Sequence, residues 1–134
     1  MKANELMIGD VVSVVPSGQQ IHIAAIHNGK VGYHAVTHKL EWVRIGLLRP
    51  IPLTAEILEK NDFDADRDNN IFAYNEGLTF VEVSLASNYI NIDYDCTDKY
   101  GASSTFIKPD VSALYVHDIQ QFLRICGFKK EIEL

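Results

Sequence analysis

Two prolines two residues apart, in Arg49-Pro50-Ile51-Pro52-Leu53-Thr54, constrain this chain more than any other feature. Neither can sit inside a helix or a central strand, and each drives the residue before it into an extended conformation. The segment predicts a short, stiff connector, with residues 1–50 before it and 51–134 after it. A chain of 134 residues suffices for one domain, or for two very small ones, to bury a core without cross-links. With 47% hydrophobic and 22% charged residues, it has the balance of a globular protein.

Before the connector, β-type runs alternate with turn signals. Asp10 to Val15 is followed by Pro16-Ser17-Gly18, Gln20 to Ile26 by Asn28-Gly29, and Val31 to Val36 by Glu41 to Val43. Asn28-Gly29 is the strongest local hairpin signal, because a type I′ turn needs positive φ at both central residues. Four or five short strands closed by a tight turn near Leu47-Leu48-Arg49 predict a small SH3-like barrel over residues 1–50.

After the connector, Thr54 predicts the N-cap of a helix from Ala55 to about Lys60, with Glu56 where it favours the helix dipole. Asp62 is expected in the left-handed position that ends this helix, with Phe63 folding back on Leu58. A last helix from about Val116 to Ile125 is expected to end the same way at Gly127 and Phe128. Its stripe of Ile119, Phe122, Leu123 and Cys126 predicts an apolar partner. A two-residue turn at Ser87-Asn88 would pair Leu85 with Ile90, Val83 with Ile92 and Val81 with Tyr94, all on one face. Ile71 to Tyr74 and Ser104 to Ile107 are expected to flank that hairpin. The predicted class is therefore α+β, mostly β: an amino-terminal SH3-like barrel, then, over residues 51–134, an antiparallel sheet packed with a carboxy-terminal helix.

No run approaches the roughly 18 apolar residues of a membrane span, and the first residues lack a signal-peptide core, so the expectation is no membrane and a cytoplasmic address. Cys96 and Cys126 have no metal-ligand spacing; reduced thiols are the default, with a disulfide between them left open. The net charge of −6 is uneven: residues 1–50 hold five basic against three acidic side chains, and the remainder seven against fifteen. A net of +2 followed by −8 argues against nucleic acid as the main partner.

Four candidate sites follow from residue types. Asp62-Phe63-Asp64-Ala65-Asp66-Arg67-Asp68 has carboxylates at calcium-loop spacing, but Arg67 stands where glycine is needed and Ala73 where glutamate is needed, so a solvated acidic loop is expected. His22, His27, His34 and His38 fall in the β-rich half without a cysteine among them, too dispersed for zinc, and are expected as exposed sheet histidines. The expected hairpin register sets Glu82 opposite Asp93, with Asp95 beyond, an arrangement that could hold a cation or act as acid and base; strand-face charges relieved by Lys99 or Lys108 are the plainer expectation. Tyr33 and Trp42, with His34 and His38, could line a shallow groove, although the single tryptophan of a small domain is more often core. No phosphate loop, nucleophile elbow or HExxH helix occurs.

Three segments recur together elsewhere: Asn4-Glu5-Leu6-Met7-Ile8-Gly9-Asp10, Pro50-Ile51-Pro52-Leu53-Thr54-Ala55-Glu56-Ile57-Leu58 with Phe63 beyond it, and Tyr115-Val116-His117-Asp118-Ile119-Gln120-Gln121-Phe122. In that order they resemble small proteins of gut anaerobic bacteria and of their phages and prophages. The resemblance carries no activity, cofactor or binding residue. Where the similar proteins have a glycine before the phenylalanine, this chain has Asn61-Asp62. His117, at the centre of the third segment, is expected to cap or tether the last helix, with a ligand role as the rarer alternative.

The reading is a non-enzymatic accessory or protein-binding module, with no catalytic residue, metal or cofactor assigned. Two alternatives are a metal-assisted hydrolase built on Glu82, Asp93 and Asp95, and weak binding of single-stranded nucleic acid through Lys30, Lys39, Arg44, Trp42 and Tyr33.

Overall fold

The computed structural model describes residues 1, 5–93 and 113–134, together with the backbone of 103–107. Among the described residues eleven strands and two helices follow in chain order: β1 (Val11–Val14), β2 (Gln19–His22), β3 (Ala25–His27), β4 (Lys30–His34), β5 (Leu40–Arg44), β6 (Leu48–Arg49), α1 (Ala55–Lys60), β7 (Asp64–Asp66), β8 (Ile71–Glu76), β9 (Thr79–Ser84), β10 (Tyr89–Asp93), β11 (Ser103–Ile107) and α2 (Val116–Ile125). The α+β, mostly β class holds, with every strand pairing antiparallel. The chain divides into two compact units, one of residues 1–51 and 115–121, the other of 52–114 and 122–134.

In the first unit the strands form two three-stranded sheets, β2-β1-β6 and β3-β4-β5. Among the described residues no ladder joins the two sheets, so the pairing does not show the expected closed barrel. The chain changes partner at Ile23-Ala24: Ile23 exchanges hydrogen bonds with Asp10 and Gly9, whereas the Ala24 amide donates to the Gly32 carbonyl. The run expected as one strand from Gln20 to Ile26 is for this reason two strands. Asn28 (φ 47°) and Gly29 (φ 70°) make the expected hairpin turn, setting His27 opposite Lys30. The core gathers Val12, Ile21, Val31 and Leu48 from the strands, with Leu6, Ile23 and Ile45 from the segments beside them.

Asp10, wholly buried, is fixed in this unit. Its carboxylate accepts from the Met7 amide at 2.7 Å and from Gln121 Nε2 at 2.6 Å, and the same Gln121 nitrogen donates to the Glu5 carbonyl. The buried carboxylate thus has hydrogen-bond donors in place of water.

In the second unit the sheet order β11-β10-β9-β8-β7 is a meander. Its register differs from expectation by two residues: Val83 faces Ile90 and Val81 faces Ile92. The turn is four residues long, Leu85 to Asn88, with Asn88 left-handed (φ 53°) and the Ser84 hydroxyl accepting from the Ser87 amide. A shift of two keeps every side chain on its expected face, because strand side chains alternate with period two. Val81, Val83, Ile90 and Ile92 are accordingly fully buried with Phe72 of β8. The expected partner Tyr94 lies outside the described residues.

Both helix ends match their sequence signals. Thr54 accepts from the Ile57 amide, and Asp62 (φ 64°) ends α1 with the paired bonds Phe63 to Leu58 and Asp62 to Glu59. Gly127 (φ 82°) ends α2 with Phe128 bonded to Leu123. Asn61 is buried, and its side chain both donates to and accepts from the backbone of Glu133, 72 residues away. The acidic run is not a plain loop, since Asp64–Asp66 forms the exposed edge strand β7. Along α2 the buried residues are Val116, His117, Ile119, Gln120 and Leu123, while Phe122 and Cys126 are only half-buried. The apolar pattern misplaced the stripe because a glutamine, read as polar, is buried in it.

Candidate functional sites

The β3-β4-β5 sheet sorts its side chains by strand parity. The pairs Gly32–Trp42, His34–Leu40 and Lys30–Arg44 share one face with Ala25 and His27. Val31, Tyr33, Glu41 and Val43 share the other, where Val31, Tyr33 and Val43 join the core. Three rows cross the outer face: His27, Lys30 and Arg44; then Ala25, Gly32 and Trp42; then His34 and Leu40. Trp42 is 45% exposed and Leu40 43%, so the lone tryptophan is not the core residue expected from its type. A Cβ on Gly32 would lie 3.1 Å from Leu40 Cδ1 and 3.3 Å from Trp42 Cη2. The indole therefore reaches across β4 where that strand carries no side chain.

Tyr33 is drawn to the opposite face, and its hydroxyl donates to Glu41 Oε2 at 2.8 Å. That hydrogen bond first, then burial and the neighbouring negative charge, raise the Tyr33 pKa above its ordinary value. Of the aromatic pair expected to share a groove, only Trp42 faces out from the sheet.

A groove of about 400 Å³ lies between β2 and the stretch that leaves β4; Gln20, His22, Tyr33, His34 and Val36 are among its walls. It opens because the chain turns away after His34, with Ala35 bonded to Lys39 and His38 to Ala35, instead of continuing alongside β2. Ile23 bonds toward β1, so by alternation Ile21 does too, and the peptide groups of Gln20 and His22 point away from β1 along the groove. Among the described residues no strand pairs with these groups, which form an edge of the sheet.

The histidines do not converge. His22, His27, His34 and His38 are all exposed, and His38 adopts φ 58° in a turn, where its carbonyl lies 3.3 Å from His34 Nδ1. Among the described residues no group of three His, Cys, Asp or Glu side chains could hold a metal ion.

The carboxylate pair of the second unit is displaced by the register. Asn91 stands opposite Glu82, and Phe80 opposite Asp93. Glu82 accepts from the Tyr89 hydroxyl at 2.5 Å, and Asp93 from Asn91 Nδ2 at 3.1 Å. Bonding to Glu82 first, then burial and the nearby charge, raise the Tyr89 pKa. Asp95, Lys99 and Lys108 lie outside the described residues. His117 is buried against Tyr115, the rings stacked at 5.7 Å. Of the two structural roles expected of His117, cap or tether, capping at Tyr115 is provided by Asp118, which accepts from the Tyr115 amide at 2.8 Å, as an acidic residue three positions into a helix does.

Among the described residues no helix is long and apolar enough to cross a membrane. Comparison with protein-family models, curated proteins and solved structures gives no match for this chain.

Proposed function

We propose that this chain is a non-enzymatic binding protein of phage or mobile-element type, working in the cytoplasm, whose amino-terminal unit takes an extended segment of another protein against the edge of β2. The observation that carries the reading is that edge: outward peptide groups at Gln20 and His22 beside a groove of about 400 Å³. Strand addition gains main-chain hydrogen bonds without any reactive side chain. The unit is read as SH3-like because six short antiparallel strands, with a 3-10 turn at Ile45–Leu47 before the last, form two small sheets over one core. The phage assignment rests on the three recurring segments alone.

Display of random ten-residue peptides tests the reading. Selected peptides are expected to shift the Gln20 and His22 amide resonances. Gln20→Pro is expected to abolish that binding while the protein stays folded, because proline is tolerated on an edge strand whose N–H makes no ladder bond. Selection that yields no peptide acting at β2 would overturn it.

A further inference from the structure

We propose that the outer face of the β3-β4-β5 sheet binds single-stranded nucleic acid, a base stacking on Trp42 while Lys30 and Arg44 meet the adjoining phosphates. This site goes beyond the protein-facing groove and uses a different face.

Three observations converge on it. First, Lys30 and Arg44 are directly opposed across the ladder, both exposed, and neither has an ion-pair partner among the described residues. Like charges in that position repel, and an anion set between them relieves the repulsion. Second, the next row along, about 7 Å away by strand rise, carries an exposed indole lying across a glycine. That is a flat aromatic platform one residue pair from two cations, the combination that reads a base and its backbone together without regard to sequence. Third, the charge of the whole chain misrepresents this surface. Residues 11–50 hold Lys30, Lys39, Arg44 and Arg49 against one carboxylate, a net of +3 in a chain of −6. That carboxylate, Glu41, is on the opposite face, bonded to Tyr33. An acidic peptide would satisfy the charges but not the indole, and a duplex hides its base faces; a single strand satisfies both rows.

Trp42 is the sole tryptophan, so its emission reports this face and no other. Titrating the intact protein with dT12 in about 50 mM salt is expected to quench that emission saturably, with a log–log salt slope of about −1.4 for two neutralised phosphates. A twelve-unit abasic strand is expected to bind about tenfold more weakly, because it keeps the phosphates and loses the stacking. By anisotropy of labelled dT12, Trp42→Leu is expected to lose about tenfold in affinity and Trp42→Tyr to retain most of it. Lys30→Gln with Arg44→Gln is expected to flatten the salt slope, and circular dichroism checks each variant for folding. Absence of saturable quenching, equal binding of the abasic strand or of polyglutamate, or unchanged affinity in a folded Trp42→Leu variant would each overturn the proposal. Because the groove is read at the Gln20 and His22 amides and this face at Trp42, either proposal can fail without the other.

Discussion

Asp10 shows what a single side chain decides here. A carboxylate with no exposed surface, held by the Met7 amide and Gln121, ties the segment before β1 to the first turns of α2. Asp10→Ala removes the acceptor that the Met7 amide and Gln121 share and is expected to cost about 2–3 kcal/mol in urea unfolding; an unchanged midpoint would mean that solvent replaces it. Tyr33 gives a prediction in alkali. Its hydrogen bond to Glu41 raises the folded-state pKa above the ordinary value of 10.0, so the stabilisation it brings is complete below that value and is lost as pH climbs through the folded pKa. Tyrosinate absorbance near 295 nm, taken as wild type minus Tyr33→Phe, is expected to rise late, and Glu41→Gln to bring it earlier.

Among the elements, β2 separates what sequence discloses from what only pairing discloses. Its alternation marks Ile21 as inward, and its neighbour Asn28-Gly29 marks the hairpin, since both signals are local. That its far edge stays open depends on β4 turning away after His34, a tertiary event with no local signature. Hydrogen exchange should expose the difference: slow exchange at Ile21 and Ile23, fast exchange at Gln20 and His22 within the same run. Uniform protection along 20–23 would mean that the edge is covered. The β9–β10 hairpin errs in the other direction. Its faces were legible from Val81, Val83, Ile90 and Ile92, but turn length was not, because Ser87-Asn88 reads equally as a two-residue turn or as the end of a four-residue one. The slip of two left the core intact and dismantled the expected Glu82–Asp93 pair, so the site was more fragile to misreading than the fold. Ile92→Ala is expected to cost about 3 kcal/mol by cavity formation, measured by chemical unfolding. Trp42 failed for another reason: residue type suggests burial, whereas Gly32 opposite it supplies a resting place at the surface, which only the register reveals.

At the scale of the molecule, charge is the property most easily misjudged. A sequence pI near 5.2 predicts least solubility near that pH, measurable by light scattering between pH 4 and 8. The same average conceals a cationic stretch over residues 11–50, which even the division into +2 and −8 at residue 50 understates. The connectivity of the second unit has a consequence in time. Spatial neighbours in β7 to β11 are also neighbours along the chain, so a polypeptide leaving the ribosome can add each strand to the one just finished. The clasp of Asn61 on Glu133 cannot close until 72 further residues have emerged, which makes it the late latch on a sheet already assembled.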